Sequence, residues 1–227
     1  MSEAEVPSYT IFKSKVEPEM GGLWEGPAWR TITPLDIANY RPEGSNHRPQ
    51  SQCKLQYNSK GLYGIFRVED QFIRCVHTEF QSDVYKDSCV EIFLEPQSGR
   101  GYFNFEFNCL GILKASYITD PTKIDGKLKE YTELRHEDDL SIQRYHSLKD
   151  IHDPDSSKAL TWYLEFFIPF SIMKSYLGPS IDLGEWRGNF FKCGDQTSHP
   201  HWASWTVLPV LNFHLPNYFG HLIFAST

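Results

Sequence analysis

The sequence predicts an all-β fold: an antiparallel, jelly-roll-like β-sandwich with one short helix, in a single domain over residues 1–227. Three observations indicate this class. Aromatic residues make up 15% of the chain, and they suit the pleated surface of a sheet. Runs of alternating apolar and polar residues recur at short intervals, as expected of a sandwich. Only residues 170–177, followed by Gly178 and Pro179, form a convincing helical segment.

The alternating runs predict the strands in chain order. They are expected near residues 9–13 (an edge strand) and at 53–58, 62–69, 72–77, 90–95, 102–109, 140–148, 160–168, 186–193 and 219–224. Gly61 ends a three-residue turn between two of them. Residues 119–158 form the longest polar region, and a structureless loop of that whole length is not expected in a compact domain.

The most informative stretch is the hairpin within residues 83–116. Keeping both apolar sets on one face places Leu94 opposite Phe103 and Val90 opposite Phe107. The other face is expected to be in contact with water. The same register puts Glu91 directly across from Glu106. Opposed carboxylates repel each other on an antiparallel sheet, so this pair predicts a ligand, a cation or a hydrogen-bond network at that position.

Composition excludes several function classes. The formal net charge of −7, without a basic cluster, argues against nucleic acid or an anionic membrane as a partner. No apolar run is long enough to span a membrane, and the first residues lack a secretory pattern. The chain is therefore expected to be soluble, and cytoplasmic unless its start is processed.

The five cysteines lie at positions 53, 75, 89, 109 and 193. Their number is odd and they lack the CxxC spacing of metal sites. Their strand contexts predict buried, reduced thiols.

Acids, amides and aromatic rings on one sheet face suit a carbohydrate. Sugar hydroxyls both donate and accept hydrogen bonds, and carboxylates and amides satisfy them in pairs. Asn104 and Asn108 share the face of Glu91 and Glu106. A flat aromatic ring covers the C–H face of a pyranose and excludes water. Tyr85, Trp202 and Trp205 are the candidate rings, although packing in the core would explain each of them too.

Glu91 and Glu106 can also be interpreted as a pair of catalytic carboxyl groups. Cross-strand neighbours lie about 5 Å apart, close to the separation of the two carboxyl groups in a retaining glycosidase. The alternative is a polar face that only binds hydroxyls, and the sequence marks no cleavage site that would favour catalysis.

Several acidic groups are candidate metal ligands. Asp150, Asp153 and Asp155 cluster in one loop, and Glu69 adjoins Asp70. Calcium prefers such oxygen ligands, although turn formation explains these residues equally well. His199 and His201, with Asp195 nearby, form only a weak zinc signal.

Six stretches in order resemble the family 9 carbohydrate-binding modules and their free-standing relatives. They are GLYGIFRVED at 61–70, VYKDSCVEIFLEP at 84–96, YFNFEFNCLGIL at 102–113, LEFFIPFS at 164–171, WRGNFFKCGD at 186–195, and the final SW…FHLPNYFGHLIF at 204–224. No single motif is decisive, but the ordered set covers nearly the whole chain.

The resemblance implies a calcium-containing β-sandwich that holds a sugar, the reducing end of a glucan or xylan, between two aromatic rings. Carried over by position, the rings are Tyr85 and Trp205. The polar contacts are Glu91, Glu106, Asn108, Lys192 and Trp202. The chain departs from the family pattern in having tyrosine at the first ring and Glu106 where a basic residue is expected.

Together these observations predict a domain that binds a mono- or oligosaccharide without cleaving it, in connection with polysaccharide degradation. No cofactor is required for this role, and a structural calcium is compatible with it. A glycoside hydrolase using Glu91 and Glu106 is one alternative. A protein-interaction sandwich without a sugar site is another.

Overall fold

The computed structural model describes residues 6–225, without the side chains of residues 152–154. Within this range the chain forms strands and two short α-helices. The strands are β1 (Ser8–Lys13), β2 (Leu35–Asp36), β3 (Asn39–Tyr40), β4 (Gln50–Tyr57), β5 (Gly61–Asp70), β6 (Ile73–Cys75), β7 (Cys89–Glu95), β8 (Tyr102–Asn108), β9 (Leu113–Ile124), β10 (Lys127–Glu133), β11 (Gln143–His146), β12 (His152–Ser156), β13 (Leu160–Pro169), β14 (Glu185–Cys193), β15 (Trp202–Ser204) and β16 (Gly220–Ala225). The helices are α1 (His136–Ser141) and α2 (Phe170–Leu177).

The strands form an all-β sandwich, which confirms the predicted fold class. One half has the strand order β10-β9-β8-β7-β14-β16, and the other has the order β4-β5-β13-β11. Strand β1 connects them, because it pairs in parallel with both β16 and β4. The prediction of an edge strand near residues 9–13 is therefore wrong. Its partners lie far away in the sequence, so the local pattern gave no sign of them.

The core lies between the two halves. Phe107 of β8 stacks on Phe166 of β13, with ring centroids 5.6 Å apart. Val90, Ile92 and the other inward residues of the 83–116 hairpin are fully buried in the same cluster. Burying a large apolar side chain contributes about 1.5–3 kcal/mol, so this hairpin anchors one wall of the sandwich.

The predicted register of the hairpin is confirmed. Leu94 pairs with Phe103, Val90 with Phe107, and Glu91 with Glu106. The prediction of a wet outer face is wrong, however, because a later loop, residues 205–219, covers part of it. Phe93 and its neighbours on that face pack against Leu208 and Phe219 of the loop.

The polar region 119–158 is structured, as expected, and it contains elements that the sequence pattern did not place. Strands β9 and β10 form a hairpin whose turn has Asp125 and Gly126 at φ values of 50° and 80°, as a tight Asp-Gly hairpin turn requires. Helix α1 and the short strand β11 replace the predicted strand at 140–148. The helix α2 begins and ends at the predicted residues.

None of the helices described is long and apolar enough to cross a membrane. All five cysteines are buried and carry free thiols, in agreement with the sequence analysis.

Candidate functional site

A cleft of about 440 Å³ lies over the outer face of the sheet half that contains β7, β8, β9 and β14. The β9–β10 hairpin forms one side, with Leu128 and Tyr131 facing the cleft, and residues 211–214 form another. We refer to this feature as the cleft. Its volume falls within the range of about 300–1,000 Å³ that is typical of small-molecule sites.

The floor of the cleft is polar. Glu91, Asn104, Glu106 and Ser116 line it, because they occupy alternate positions that face away from the core. Asn104 donates a hydrogen bond of 2.6 Å from Nδ2 to Oε1 of Glu106. The backbone N–H of Ser116 donates to Oδ1 of Asn104 at 2.7 Å. Asn104 is thereby fixed, and it fixes Glu106 in turn.

Burial raises the pKa values of the floor carboxyl groups. Glu91 is 3% exposed and Glu106 is 6% exposed. Burial, followed by the charge of Glu106, raises the pKa of Glu91 well above its usual range. Burial raises the pKa of Glu106 to about 7, although Lys114 and Asn104 oppose the increase. The floor therefore offers carboxyl groups that are able to donate as well as accept hydrogen bonds near neutral pH.

Aromatic side chains stand around this floor. Tyr85 lies on a single 3₁₀ turn, Val84–Lys86, directly before β7. Trp202 begins β15 and pairs with Cys193 of β14, and its Nε1 donates to Oδ1 of Asp195 at 2.7 Å. Phe213 stacks on Phe191 with ring centroids 4.1 Å apart. Tyr85, Trp202 and Phe213 all line the cleft.

Two lysines set the electrostatics beside Tyr85. Nζ of Lys114 and Nζ of Lys86 lie 3.0 Å and 2.9 Å from the two carboxylate oxygens of Asp83. Both ammonium groups also lie within 6 Å of the Tyr85 ring centroid, at 5.6 Å and 5.8 Å. Such cation–π contacts favour one placement of the ring, so Tyr85 is held before any ligand arrives.

The predicted position of Trp205 beside Tyr85 is wrong. Trp205 packs on Phe190 of the inner face, with ring centroids 5.6 Å apart, and its ring covers Gly220 so closely that a Cβ there would lie 2.3 Å from it. Trp202 and Trp205 are three positions apart, an odd number, so they face opposite sides of an extended chain. The tryptophan that the structure places in the cleft is Trp202.

Lys192 and Asn108 also lie outside the cleft. Lys192 is opposite Val90 and therefore points into the sandwich, where Nζ lies 2.7 Å from Nε2 of His201 and 3.4 Å from Oδ2 of Asp70. Asn108 donates to Asp87 Oδ2 at 3.0 Å and to a backbone carbonyl. Both side chains are occupied by these internal contacts.

Sequence reasoning missed some residues of the cleft. Lys114 and Asp195 line it together with Phe213. The position of Lys114 could have been predicted, because apolar and polar residues alternate at the start of β9. Lys114 pairs with Glu106 across the sheet and therefore lies on the same face. Phe213 lies in an irregular loop, where the sequence has no periodic pattern from which the direction of a side chain could be predicted.

Among the predicted calcium ligands, Glu69 and Asp70 do not combine into one site. Asp70 accepts from His47, at 2.7 Å, and from the Gln71 backbone with Oδ1, and it faces Lys192 with Oδ2. Glu69 points the other way along the strand and pairs with Arg67. Both oxygens of the Asp70 carboxylate are thus occupied by groups of the chain itself, and neither is free for calcium.

The loop acids remain a prediction. Asp155 accepts a hydrogen bond of 2.8 Å from the backbone N–H of Ser198, and Asp150 is exposed. The side chain of Asp153 lies outside the described residues. His199 and His201 do not form the weakly indicated zinc site, because both ring nitrogens of His201 are occupied, by Lys192 and by the carbonyl of His199.

Solved structures share this fold. A candidate carbohydrate-binding protein from Bacteroides uniformis superposes with a TM-score of 0.78 at 25% identity, covering 97% of this chain and 100% of the other. A family 9 carbohydrate-binding module from Caldicellulosiruptor kristjanssonii in complex with glucose has a TM-score of 0.63 at 16% identity, covering 96% of each chain. The same kind of module from that organism in complex with cellotriose gives 0.63 at 15%, covering 97% of this chain and 95% of the other. No curated protein matches the chain.

The fold and the cleft together define a sandwich of the carbohydrate-binding class. The family model described as carbohydrate-binding family 9 matches residues 29–224. The chain belongs to this family, and carbohydrate binding is the function that the membership gives it. The resemblance stated from the sequence motifs is confirmed.

Proposed function

We propose that the cleft holds one saccharide unit against the rings of Tyr85 and Trp202, above the acid and amide floor. The observation that carries this proposal is their common location: both rings, Glu91 and Glu106 line one cleft of about 440 Å³. An apolar wall with a few convergent polar groups is the usual form of a small-molecule site.

The chemistry of the floor suits a sugar. Glu106 Oε2 is buried and has no hydrogen-bond partner among the described residues, so a ligand hydroxyl in reach of it would satisfy an otherwise costly buried acceptor. Asp195 accepts from Trp202 with one oxygen, which leaves its other oxygen to a second hydroxyl. Lys114 adds a donor at the edge of the floor.

We propose that binding occurs without cleavage. A retaining glycosidase requires one ionised carboxylate as nucleophile and one protonated carboxyl group as acid. Here burial raises the pKa of both Glu91 and Glu106, so neither is held as an ionised nucleophile of low pKa. The two glutamates lie in one continuous polar floor, which supports a role in hydrogen bonding.

We propose the end of a glucan or xylan chain, or a free mono- or disaccharide, as the ligand, and polysaccharide breakdown as the setting. The modules from Caldicellulosiruptor kristjanssonii hold glucose and cellotriose. The cleft is bounded by the floor, the β9–β10 hairpin and residues 211–214. Walls on several sides suit a chain terminus better than a continuous chain.

Isothermal titration calorimetry with glucose, cellobiose and xylobiose tests this proposal. We expect saturable binding that is lost in Tyr85→Ala, while Tyr218→Ala, at an exposed tyrosine that does not line the cleft, retains it. Absence of binding to any of a broad glycan panel would contradict the proposal and favour a protein-interaction sandwich. Turnover of aryl glycosides by the unmodified chain would favour the hydrolase.

A further inference from the structure

Two thiols and a carboxyl group converge under the cleft. Cys89 of β7 and Cys193 of β14 are directly opposite each other on adjacent antiparallel strands. Glu91 lies two residues after Cys89 and therefore projects from the same face. One ligand atom of each of the three side chains lies within 4.8 Å of those of the other two. Cys193 Sγ is 3.1 Å from Glu91 Oε1.

This cluster is buried but reaches the cleft. Cys89, Cys193 and Glu91 are 0%, 1% and 3% exposed, respectively. Cys193 and Glu91 nevertheless line the cleft, which provides an entry path from solvent. In the part of the chain that the structure describes, this is the one group of three cysteine, histidine or acidic side chains with ligand atoms so close together.

A second observation indicates a cation at this point. Glu106, directly opposite Glu91, has a buried Oε2 that finds no partner within residues 6–225. Asp195 lines the same space. Lys192, the adjacent cation in sequence, points to the other face of the sheet. Several groups that carry negative charge when ionised therefore face one small volume.

We propose that Cys89, Cys193 and Glu91 bind a zinc ion in the floor of the cleft. Two thiolates and one carboxylate are a ligand set that Zn²⁺ accepts in tetrahedral geometry. Zinc–sulfur bonds of about 2.3 Å imply sulfur atoms about 3.8 Å apart, so side chains already within 4.8 Å need to move by about an ångström or less.

Three protein ligands leave the fourth tetrahedral position to a water molecule or a ligand oxygen. Because Cys193 and Glu91 line the cleft, this position faces the space proposed for the saccharide. The site is distinct from the calcium predicted by the family resemblance, since calcium takes oxygen ligands and two of these three ligands are sulfur.

Zinc binding at this site must release protons. Zinc binds cysteine as the thiolate and glutamate as the carboxylate. Each thiol loses its proton to solvent as the sulfur–zinc bond forms, and Glu91 does the same as its oxygen binds. The affinity is therefore expected to increase steeply with pH.

Calorimetry and cobalt substitution test the proposal on the metal-free, phosphine-reduced chain. We expect one Zn²⁺ per chain at about pH 8, with two to three protons released, as measured in buffers of different ionisation enthalpy. Co²⁺ should give thiolate-to-cobalt charge-transfer absorption and the visible bands of a tetrahedral ion. Neither readout requires a saccharide, so failure of sugar binding and failure of zinc binding are separable.

The variants Cys193→Ser and Glu91→Gln should weaken zinc binding by more than the 10- to 100-fold typical of an outer-shell partner. Cys109→Ser is the matched control. Cys109 also contacts a second buried thiol, that of Cys75, but the nearby Asp87 is already bonded to Arg74 and Asn108. We expect this control to retain zinc, and near-ultraviolet circular dichroism checks that each variant is folded.

Three results would overturn the proposal. They are absence of stoichiometric zinc in the folded chain, a cobalt spectrum without thiolate bands, and loss of zinc in Cys109→Ser but not in Cys193→Ser. A Cys89–Cys193 disulfide that persists under the reducing conditions would also contradict it, because both thiols would then be unavailable.

Discussion

Trp202 and Trp205, three positions apart, point to opposite sides of the chain at the end of β15: Trp202 lines the cleft, whereas Trp205 packs on Phe190 in the interior. Their opposite orientation determines which of the two rings faces the cleft.

Trp202→Ala should abolish measurable saccharide binding or weaken it by at least about tenfold, the equivalent of about 1.4 kcal/mol, because one wall of the cleft is removed. Trp205→Ala should leave the affinity within about threefold and instead lower the free energy of unfolding by about 2–4 kcal/mol, since an aromatic contact with the core is lost. Calorimetric titration and urea denaturation measure the two effects. Equal loss of binding in both folded variants would contradict this assignment.

Glu106→Gln should weaken saccharide binding by about tenfold while the fold is retained. The substitution keeps the shape of the side chain but fixes one oxygen acceptor and one amide donor, whereas the carboxyl group adapts to either hydroxyl pattern. Glu43→Gln is the control, because Glu43 is exposed and pairs with Arg41 away from the cleft. Unchanged affinity in Glu106→Gln would show that the floor does not contact the ligand.

The buried ion pair between Lys192 and Asp70 should stabilise the fold without contributing to binding. Lys192→Met removes the ammonium partner of the buried Asp70 carboxylate, and breaking a buried pair costs about 3–5 kcal/mol. The double variant Lys192→Met/Asp70→Asn should recover much of this loss and bind saccharide as the original chain does. Loss of saccharide binding in the stable double variant would show that Lys192 or Asp70 contributes to binding, and would contradict this prediction.

Two buried histidines should each destabilise the fold as the pH falls from about 6.5 to 3, whereas Glu91 and Glu106, whose folded pKa values are raised, oppose this loss above their unfolded pKa. Burial, together with Lys192, lowers the pKa of His201 to about 3, against the opposing charge of Asp70. Burial, with a contribution from Lys123, lowers the pKa of His214 to about 3. The unfolded chain takes up protons below its ordinary histidine pKa while the folded chain does not, so each histidine removes about 1.4 kcal/mol per pH unit.

Urea denaturation at a series of pH values measures this slope. Relative to the original chain, His214→Gln should gain about 1.4 kcal/mol of stability per pH unit as the pH falls below about 6.5, and His221→Gln, at a partly exposed histidine paired with Glu185, serves as the control. Burial would raise the pKa of Asp70, but Lys192 and His47 outweigh it and hold the value at about 2. Asp70 therefore adds a further loss only below about pH 4. Parallel curves for the original chain and His214→Gln would exclude His214 as a source of the slope.

Alternation predicted the parts of the fold where one face is apolar. The register of the 83–116 hairpin followed from matching Val90, Ile92 and Leu94 with three phenylalanines, because a shift of one residue would turn every side chain to the other face. The same reasoning, applied to β14, would have placed Lys192 inside, opposite Val90. The inward orientation of Lys192 was not predicted, because a lysine at a core position is expected only with polar partners. Its partners, Asp70 and His201, are distant from it in the sequence.

The walls of the cleft could not be predicted in the same way. Beyond Ile118 the β9–β10 hairpin consists largely of exposed polar residues, so this part carries no apolar stripe that reveals a strand. Phe213 and the rest of the 205–219 loop are positioned by packing on Phe93 and Phe191, contacts that have no local sequence signal. The floor, with Tyr85 and Trp202 beside it, was therefore predictable from sequence, whereas Phe213 and the hairpin wall required the tertiary structure.

The most direct test of the central claim is a ¹H–¹⁵N spectrum of the tryptophan indole groups during titration with cellobiose. The Trp202 indole, which donates to Asp195 at the cleft, should shift progressively and saturate, whereas the Trp205 indole should remain in place. A Trp202 resonance that does not move while cellobiose binding saturates would contradict the assignment of this cleft as the saccharide site.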